Sequence, residues 1–341
     1  MVRAKISRKT GFAIVIGVLI LIGFWAAGMV FDRRQAVNQV AGFQWTIIRP
    51  PEEVTVLVEQ GEIIWAGGIE GVCKLDRMQR VYVEELGDFT HVKGLIIDTE
   101  GRLWIGHEKG ITIYDGSFTA KYTVANGLPD NHVTALTKDM QGRIWVGTWK
   151  GAAVFDGSSW RVINSNNGLM DDMVNTIYVD SFGGIWFGSY TAPRGGLSYF
   201  NGEAWQYLST QNGMSHNNIN SIVQLNDGSM LIGTGYLDRG GAVILKKNEK
   251  GIWQIKQIIT KDRGLPGEKV RSVFQDESGI IWYGTEYDGL ACMRDGSWRV
   301  FKKENGLSGN EIKMIMEDTN HNLWLGTDNG ITVIDQANMT L

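Results

Sequence analysis

The sequence predicts an all-β protein, a seven-bladed β-propeller closed by an N-terminal strand and preceded by one transmembrane α-helix. Three observations support this prediction. A motif of tryptophan followed by glycine recurs at regular spacing along most of the 341 residues. The segments between these motifs are short, alternate between apolar and polar residues, and are separated by glycine-rich turns. Residues 11–31 contain no charge over 21 positions.

The uncharged run 11–31 is the first element of the chain and is long enough to cross a bilayer as a helix. The tail 1–10 carries four basic residues, so the positive-inside rule places it in the cytoplasm. An uncleaved anchor is favoured over a signal peptide because the run exceeds a signal peptide's apolar core. Either interpretation exports the remainder, predicted as a linker at 32–42 and a propeller at 43–341. We therefore expect a single-pass protein of the bacterial inner membrane with an extracytoplasmic propeller.

The repeat is marked by an anchor residue that precedes a glycine. Successive anchors are 39, 41, 41, 45, 51 and 42 residues apart, which is the period of a four-stranded propeller blade. They are Trp65, Trp104, Trp145, Trp186, Leu231, Trp282 and Trp324. In the third unit the four strands A to D correspond to HVTALTKD, GRIWVGT, GAAVFDG and SWRVI. Seven such units closing into a ring are favoured over an open solenoid.

Ring closure is predicted from the two ends of the repeat region. The seventh unit ends at GITVIDQANMTL without a strand D, whereas the stretch FQWTII around Trp45 is similar to SWRVI and AWQYL. An N-terminal strand at 43–48 would complete the last blade and remove both exposed sheet edges.

The repeat resembles the two-component regulator propeller repeat. The resemblance rests on D-x-x-G-x-[IL]-W-x-G-T, on a following apolar strand that ends in Y/F-D-G, and on N-G-L before the next blade. These are seen in DMQGRIWVGTWKGAAVFDG with NGLMDD, and in DESGIIWYGTEYDG with NGLSGN. The resemblance covers about residues 43–335. It implies an extracytoplasmic propeller of the kind that recognises ligands, often glycans, for membrane histidine kinases. This chain shows no kinase or DNA-binding segment, so a signal would need a partner protein.

Candidate binding residues lie in the connections from strand B to strand C. In four-stranded blades these connections share one face, here called the loop face, with the connections from strand D to the next strand A. Trp149 is singled out because it has no blade-packing position to fill. The alternative for Trp149 is a lid packed on its own blade, and for the others it is ordinary hydrated turns. The candidates are Trp149, Lys150, Tyr190, Arg194, Tyr236, Asp238, Arg239, Tyr287 and Asp288.

A second candidate group lies at the channel mouth, which we define as the second position of each inner strand A. The residues there are Thr55, Lys93, Thr134, Asn175, Asn220, Arg271 and Lys313, of which Lys93, Asn175, Asn220, Arg271 and Lys313 are the site candidates. Such a ring could hold an anionic group or be solvated channel lining. Four histidines on this face are possible metal ligands: His91, His107, His132 and His216. Their spacing in the sequence is not typical of metal ligands, so neither a metal nor a cofactor is expected.

Charge and motifs narrow the function. Beyond residue 34 the chain has 27 basic against 36 acidic residues, a net charge of −9, which argues against nucleic-acid binding. No catalytic motif is present, so an enzyme is not expected. The sequence favours a membrane-anchored binding or sensor-like module for a glycan or peptide that works with another membrane or envelope protein. The alternatives are a structural or accessory subunit of a membrane complex, or a propeller enzyme of the lyase type.

The last expectation concerns orientation. If the propeller begins at strand D of its last blade, the chain enters on the face opposite the loop face. The loop face would then point away from the membrane.

Overall fold

The computed structural model describes residues 36–40, 43–191, 194–237 and 239–335. By internal contacts the chain divides after Ala36, and the larger unit is the propeller. Among the described residues, no helix is both long and apolar enough to span a membrane. The predicted span 11–31 lies outside the described residues.

Seven sheets make up the propeller. The first two strands, β1 (Ala36–Val40) and β2 (Phe43–Ile48), belong to the last sheet. Blade 1 contains β3 (Val56–Gln60), β4 (Ile63–Gly68), β5 (Gly71–Asp76) and β6 (Val81–Glu85). Blade 2 contains β7 (Gly94–Ile97), β8 (Leu103–His107), β9 (Gly110–Tyr114) and β10 (Phe118–Tyr122). Blade 3 contains β11 (Val133–Lys138), β12 (Ile144–Thr148), β13 (Gly151–Phe155) and β14 (Trp160–Ile163).

The remaining blades repeat this order. Blade 4 contains β15 (Val174–Val179), β16 (Ile185–Ser189), β17 (Leu197–Phe200) and β18 (Trp205–Leu208). Blade 5 contains β19 (Ile219–Gln224), β20 (Met230–Tyr236), β21 (Arg239–Lys247) and β22 (Trp253–Ile259). Blade 6 contains β23 (Val270–Gln275), β24 (Ile281–Thr285), β25 (Leu290–Arg294) and β26 (Ser297–Phe301). Blade 7 contains β27 (Ile312–Glu317), β28 (Leu323–Thr327) and β29 (Gly330–Asp335), followed by β2 and β1.

A single turn of 3₁₀ helix lies between strand D and the next strand A in four connections, two of which carry the N-G-L motif and two the variants N-G-M and R-G-L. The four turns are Val124–Asn126, Thr210–Asn212, Lys261–Arg263 and Lys303–Asn305. Each is followed by a glycine in the left-handed region, for example Gly127 at φ 107°. A residue with a Cβ would be strained there, which explains why the motif requires glycine.

The glycine after each strand B anchor lets neighbouring blades pack closely. A Cβ on Gly147 would lie 2.9 Å from Val174 Cγ1 of the next blade, and a Cβ on Gly326 would lie 2.8 Å from Val54 Cγ1. The second pair joins blade 7 to blade 1. Inner strand β27 also contacts β3, so the inner strands form a closed ring of seven. The predicted all-β, seven-bladed propeller is confirmed.

The D-x-x-G turn holds the anchor tryptophan in place. In blade 3 the indole N–H of Trp145 donates to Asp139 Oδ2 at 2.8 Å, and Asp139 Oδ1 accepts the backbone N–H of Gln141 and Arg143. The same Trp to Asp bond occurs in blades 2, 4, 6 and 7 at 2.7 to 3.0 Å. Blade 5 has Leu225 and Leu231 instead, both buried. Donor and acceptor are replaced together, so no buried polar group is left unpaired.

Strands β2 and β1 form the outer part of blade 7. Strand β2 pairs antiparallel with β29, with Trp45 opposite Ile334, and the fully buried Trp45 ring lies 5.4 Å from that of Phe301 in blade 6. Strand β1 lies beside β2 within the segment predicted as a linker. It covers the edge that β2 would otherwise expose.

The position of β1 bears on the expected orientation. Only two residues separate β1 from β2, which is too short for a parallel crossover, so the two strands form an antiparallel hairpin. Strand β1 therefore starts at the loop-face end of blade 7. The expected orientation requires the propeller to begin with β2 on the opposite face, and this premise does not hold.

Candidate functional site

The loop face is built from pairs of residues, one just before strand A and one just after strand B of the same blade. In blade 4 the backbone N–H of Tyr190 donates to the carbonyl of Met173 at 2.9 Å, and in blade 6 Glu286 donates in the same way to Lys269 at 3.1 Å. These bonds extend the strand A to strand B ladder by one rung. The side chains of each pair are consequently neighbours on the loop face.

Trp149 illustrates this pairing in blade 3. Its ring stacks on His132, with centroids 3.7 Å apart and planes 17° from parallel, and the residue remains 45% exposed. One face of the indole is thus covered by the imidazole. The predicted neighbour Lys150 is exposed and lies 3.9 Å from an Asp130 carboxylate oxygen. The structure combines the two interpretations of Trp149, since the ring packs on its own blade and still presents a surface to solvent.

The corresponding pair of blade 2 is His91 and Glu108. His91 Nδ1 lies 3.3 Å from Glu108 Oε2, while Glu108 Oε1 accepts a hydrogen bond from Thr90 Oγ1 at 2.5 Å. A histidine beside a carboxylate is a minimal acid and base pair. The same arrangement occurs on the opposite face, where His321 Nδ1 lies 3.3 Å from Glu317. The pair alone therefore does not mark a catalytic centre.

Blades 4 and 5 contribute a tyrosine pair. The rings of Tyr190 and Tyr236 meet edge to face at 6.3 Å, and both side chains are about 40% exposed. The connection around Tyr236 is an extension of strands β20 and β21, with Tyr236 opposite Arg239. Arg239 and Arg194 are exposed. Asp238 lies outside the described residues.

A cleft of about 360 Å³ lies between the loops of blades 5 and 6. Its lining consists of Leu237, Lys261, Glu268, Lys269, Glu286, Tyr287 and Asp288. Leu237 and Tyr287 are 63% and 66% exposed. The buried ammonium of Lys269 pairs with Glu286 and lies 5.7 Å from the centre of the Tyr236 ring. Apolar walls with a few fixed charges are typical of small-ligand clefts, and this volume lies at the small end of their range.

At the channel mouth, the polar uncharged residues bond to the next blade. Asn175 Nδ2 donates to the carbonyl of Ile219 at 2.8 Å, and Asn220 Nδ2 donates to that of Val270 at 2.9 Å. Thr55 and Thr134 make the equivalent bond through their hydroxyl groups. In blades 3 to 7 the second position is skipped by the pairing of strands A and B, as in a β-bulge. Asn175 and Asn220 thus hold the blades together as well as lining the mouth.

The charged residues of blades 6, 7 and 1 form an alternating chain. Arg271 lies 3.5 Å from Glu286 and 3.2 Å from Glu311, and Lys313 lies 3.3 Å from Glu311 and 3.0 Å from Glu53. Burial raises the pKa of Glu286, but the hydrogen bonds from Lys269 and Tyr287 and the charge of Arg271 lower it overall. The predicted cationic ring is therefore largely neutralised by carboxylates in this sector.

The histidines of this face lie in different environments. His107 is buried in β8, where its Nε2 lies 3.1 Å from Thr112 Oγ1 and its pKa is lowered by burial to about 4. It replaces the threonine or serine that follows the strand B glycine in blades 3 to 7. His216 Nδ1 accepts the backbone N–H of Asn218. Within the described ranges, no group of three or more histidine, cysteine or acidic side chains could hold a metal ion.

Several residues of this face were not among the predicted site residues. Four of them lie two positions before a channel-mouth residue, and a fifth, Glu286, directly follows strand B. The four are Glu53, His132, Lys269 and Glu311. Their shared offset within the repeat was visible in the sequence. Their contacts with the residues of the B-to-C connections were not visible in the sequence, because these contacts form only where the pairing of strands A and B continues beyond the motif.

Comparison with known proteins supports the fold and the repeat. The two-component regulator propeller profile matches residues 127–150, 168–191, 264–287 and 306–329. No curated protein matches the chain in sequence. Among solved structures, the extracellular domain of a protein assigned as a hybrid two-component system of B. thetaiotaomicron is 20% identical, with a TM-score of 0.71 over 89% of this chain and 45% of that one. The chain spans less than half of that domain.

Two further structures share the fold. Streptogramin B lyase is 15% identical, with a TM-score of 0.64 over 87% of this chain and 99% of that one. PorZ, a bacterial surface component of the type-IX secretion system of Porphyromonas gingivalis, is 17% identical, with a TM-score of 0.64 over 87% of this chain and 48% of that one. One fold thus serves sensing, lyase and secretion proteins. The chain thus carries repeats of the two-component regulator propeller type in four of its segments.

Proposed function

We propose that this chain is the extracytoplasmic binding module of a sensor-type assembly, held at the membrane by residues 11–31. The observation that carries the proposal is the row of exposed aromatic side chains on the loop face. Trp149, Tyr190, Tyr236 and Tyr287 come from four consecutive blades and are all at least 39% exposed. Burying them in the fold would be favourable, so their exposure favours a role in binding.

The chemistry of this face favours a glycan or a peptide as ligand. Aromatic faces stack on sugar rings and on apolar side chains, while the nearby fixed charges orient polar groups. Both the cleft beside Tyr287 and the stacked Trp149 belong to this surface. The sensor domains that share the fold are extracellular, which supports the same location for this propeller. In this proposal a second membrane or envelope protein transmits the signal.

The test compares loop-face variants with a control on the opposite face. Purified full-length protein in detergent is screened for binding to panels of oligosaccharides and peptides by thermal shift and then titrated calorimetrically. We expect Trp149→Ala and Tyr287→Ala to weaken binding by about tenfold or more, as for aromatic anchors of interfaces. Phe182→Ala, which removes a 70% exposed ring from the A-to-B turn of blade 4, should leave affinity unchanged. Equal affinity in all three variants would exclude the loop face as the binding surface.

A structural or accessory subunit remains the second candidate, supported by the opposite face. Met140 and Phe182 lie on the A-to-B turns of adjacent blades and are 67% and 70% exposed. Exposed apolar residues on turns that are otherwise polar are typical of protein contacts. Site-specific photo-crosslinking from position 182 and from position 149 in cells distinguishes the two functions. A stoichiometric partner captured from 182 alone favours the accessory role.

A further inference from the structure

Lys93 is an exception among the cations near the channel mouth. Lys269, Arg271 and Lys313 each contact a carboxylate within 4.0 Å. Across the described part of the chain, Lys93 has neither a carboxylate within that distance nor a side-chain hydrogen bond. At the same position Thr55 and Thr134 bond to the next blade. Lysine at this position therefore forgoes a contact that stabilises the ring.

The surroundings of Lys93 favour a negatively charged partner. The side chain is solvent-accessible, yet the protein around it removes much of the water that would hydrate the ammonium. This desolvation and the positive charges of Arg271 and Lys313 lower the pKa of Lys93, while Glu53 opposes the shift. Arg271 and Lys313 belong to blades 6 and 7, so these cations act on Lys93 from other sectors of the mouth. An anion bound there would relieve the repulsion.

A flat aromatic surface lies next to this cation. His132 and Lys93 directly precede the inner strands β11 and β7, which contact each other. His132 lies against one face of Trp149, at 3.7 Å between ring centroids. The carboxylate of Glu108 in blade 2 is engaged by Thr90 and His91. The order along the face is thus Trp149, His132, Lys93, from an exposed ring to an unpaired ammonium.

We propose that blades 2 and 3 form a subsite for a sugar ring that carries an anionic substituent, a carboxylate or a sulfate. The sugar stacks on the exposed part of Trp149, and its anionic group pairs with Lys93. The inference rests on the proposed function, in which the loop face binds a ligand, and specifies the ligand's chemical class. Sugar rings present flat C–H faces to aromatic rings. A charge-assisted hydrogen bond from the partly desolvated ammonium to the anionic group then fixes the position of the sugar along the face.

The probes are matched pairs of oligosaccharides that differ only in charge. One set contains oligogalacturonates and their methyl esters, and a second contains sulfated and unsulfated oligosaccharides of equal length. Affinities are measured calorimetrically with full-length protein. We expect at least one acidic probe to bind about 10- to 100-fold more tightly than its neutral counterpart, the range for a hydrogen bond to a charged group. The set in which the preference occurs identifies the substituent.

The variants separate charge from stacking. Lys93→Met should abolish the preference for the acidic probe, and Lys93→Arg should retain most of it. Lys256→Met is the control, since Lys256 is an exposed lysine in the middle of the outer strand β22. Thermal melting of each variant verifies that it is folded. The proposal is overturned if no acidic probe is preferred, or if Lys93→Met retains the preference. Neutral probes that bind equally well and depend on Trp149 would overturn only this inference and leave the proposed function intact.

Discussion

The Asp to Trp bond of the blade turns gives a quantitative prediction, because blade 5 already shows the apolar alternative. In blade 3, Asp139 accepts bonds from the Trp145 indole, from the Arg143 guanidinium at 2.6 Å, and from two backbone N–H groups. Asp139→Leu leaves the buried indole N–H unpaired and removes bonds to an ionised carboxylate. Each of these two losses costs about 1–3 kcal/mol, so we expect the free energy of unfolding to fall by about 3–5 kcal/mol.

The double variant Asp139→Leu/Trp145→Leu reproduces the pair Leu225 and Leu231 of blade 5. Trp145→Leu alone removes a large buried side chain and leaves the carboxylate without its indole donor, at a cost of about 2–4 kcal/mol. In the double variant neither polar group is left unpaired. We therefore expect the combined loss to be smaller than the sum of the single losses by about 1–3 kcal/mol.

Urea unfolding followed by circular dichroism and by fluorescence measures this double-mutant cycle. Coincident transitions from the two signals establish that a single free energy applies. Met140→Ala is the control, since that side chain in the same turn is 67% exposed and its loss should change stability by less than about 0.5 kcal/mol. Additive losses within about 0.5 kcal/mol would refute the coupling and the explanation of the paired leucines.

Three other predictions follow from the fold. Burial raises the pKa of Asp98 and of Asp139, but hydrogen bonds from their indole and arginine partners hold both values below the usual range. The two carboxylates therefore contribute to stability above about pH 4, and this contribution decreases as the pH falls through the lowered pKa. Asp139→Asn should make acid unfolding, measured by circular dichroism, less dependent on pH, and an unchanged acid limb would contradict this. Deleting residues 1–50 removes β2 and should broaden and lower the thermal transition relative to the full chain, whereas equal melting would show that β2 is not needed for closure. Gly326→Ala should destabilise by about 1–3 kcal/mol in urea unfolding, and adding Val54→Ala should restore part of the loss, because the new methyl meets Val54.

Much of the fold followed from the repeat. The tryptophan spacing and the glycine after each anchor predicted seven blades, since a four-stranded blade needs one large buried residue and one close approach per unit. Chain direction within the blades followed from the turns. Strand β1 was missed because its five residues carry no turn or anchor signal and pair only where the edge of β2 is available. The expected orientation of the loop face did not take this strand into account.

The candidate site was predicted as positions rather than as contacts. The sequence placed Trp149, Tyr190, Tyr236 and Tyr287 on one face, because the B-to-C connections are legible in every unit. It did not pair Trp149 with His132, and it left open whether Arg271 and Lys313 hold an anionic group or line a solvated channel. Those assignments depend on pairs such as His132 and Trp149, 17 positions apart, and Glu53 and Lys313, 260 positions apart, which meet only through the ladder or around the ring.

The sequence by itself determined what each repeat must do locally: bury an anchor, turn at a glycine and expose a connection. These requirements involve neighbours within one unit, so periodicity is enough to show them. Only the tertiary structure decided which charges are paired. Carboxylates from blades 6, 7 and 1 converge on Arg271 and Lys313, whereas no described carboxylate reaches Lys93. That difference depends on distances across the ring, and electrostatic energy depends on those distances rather than on sequence separation.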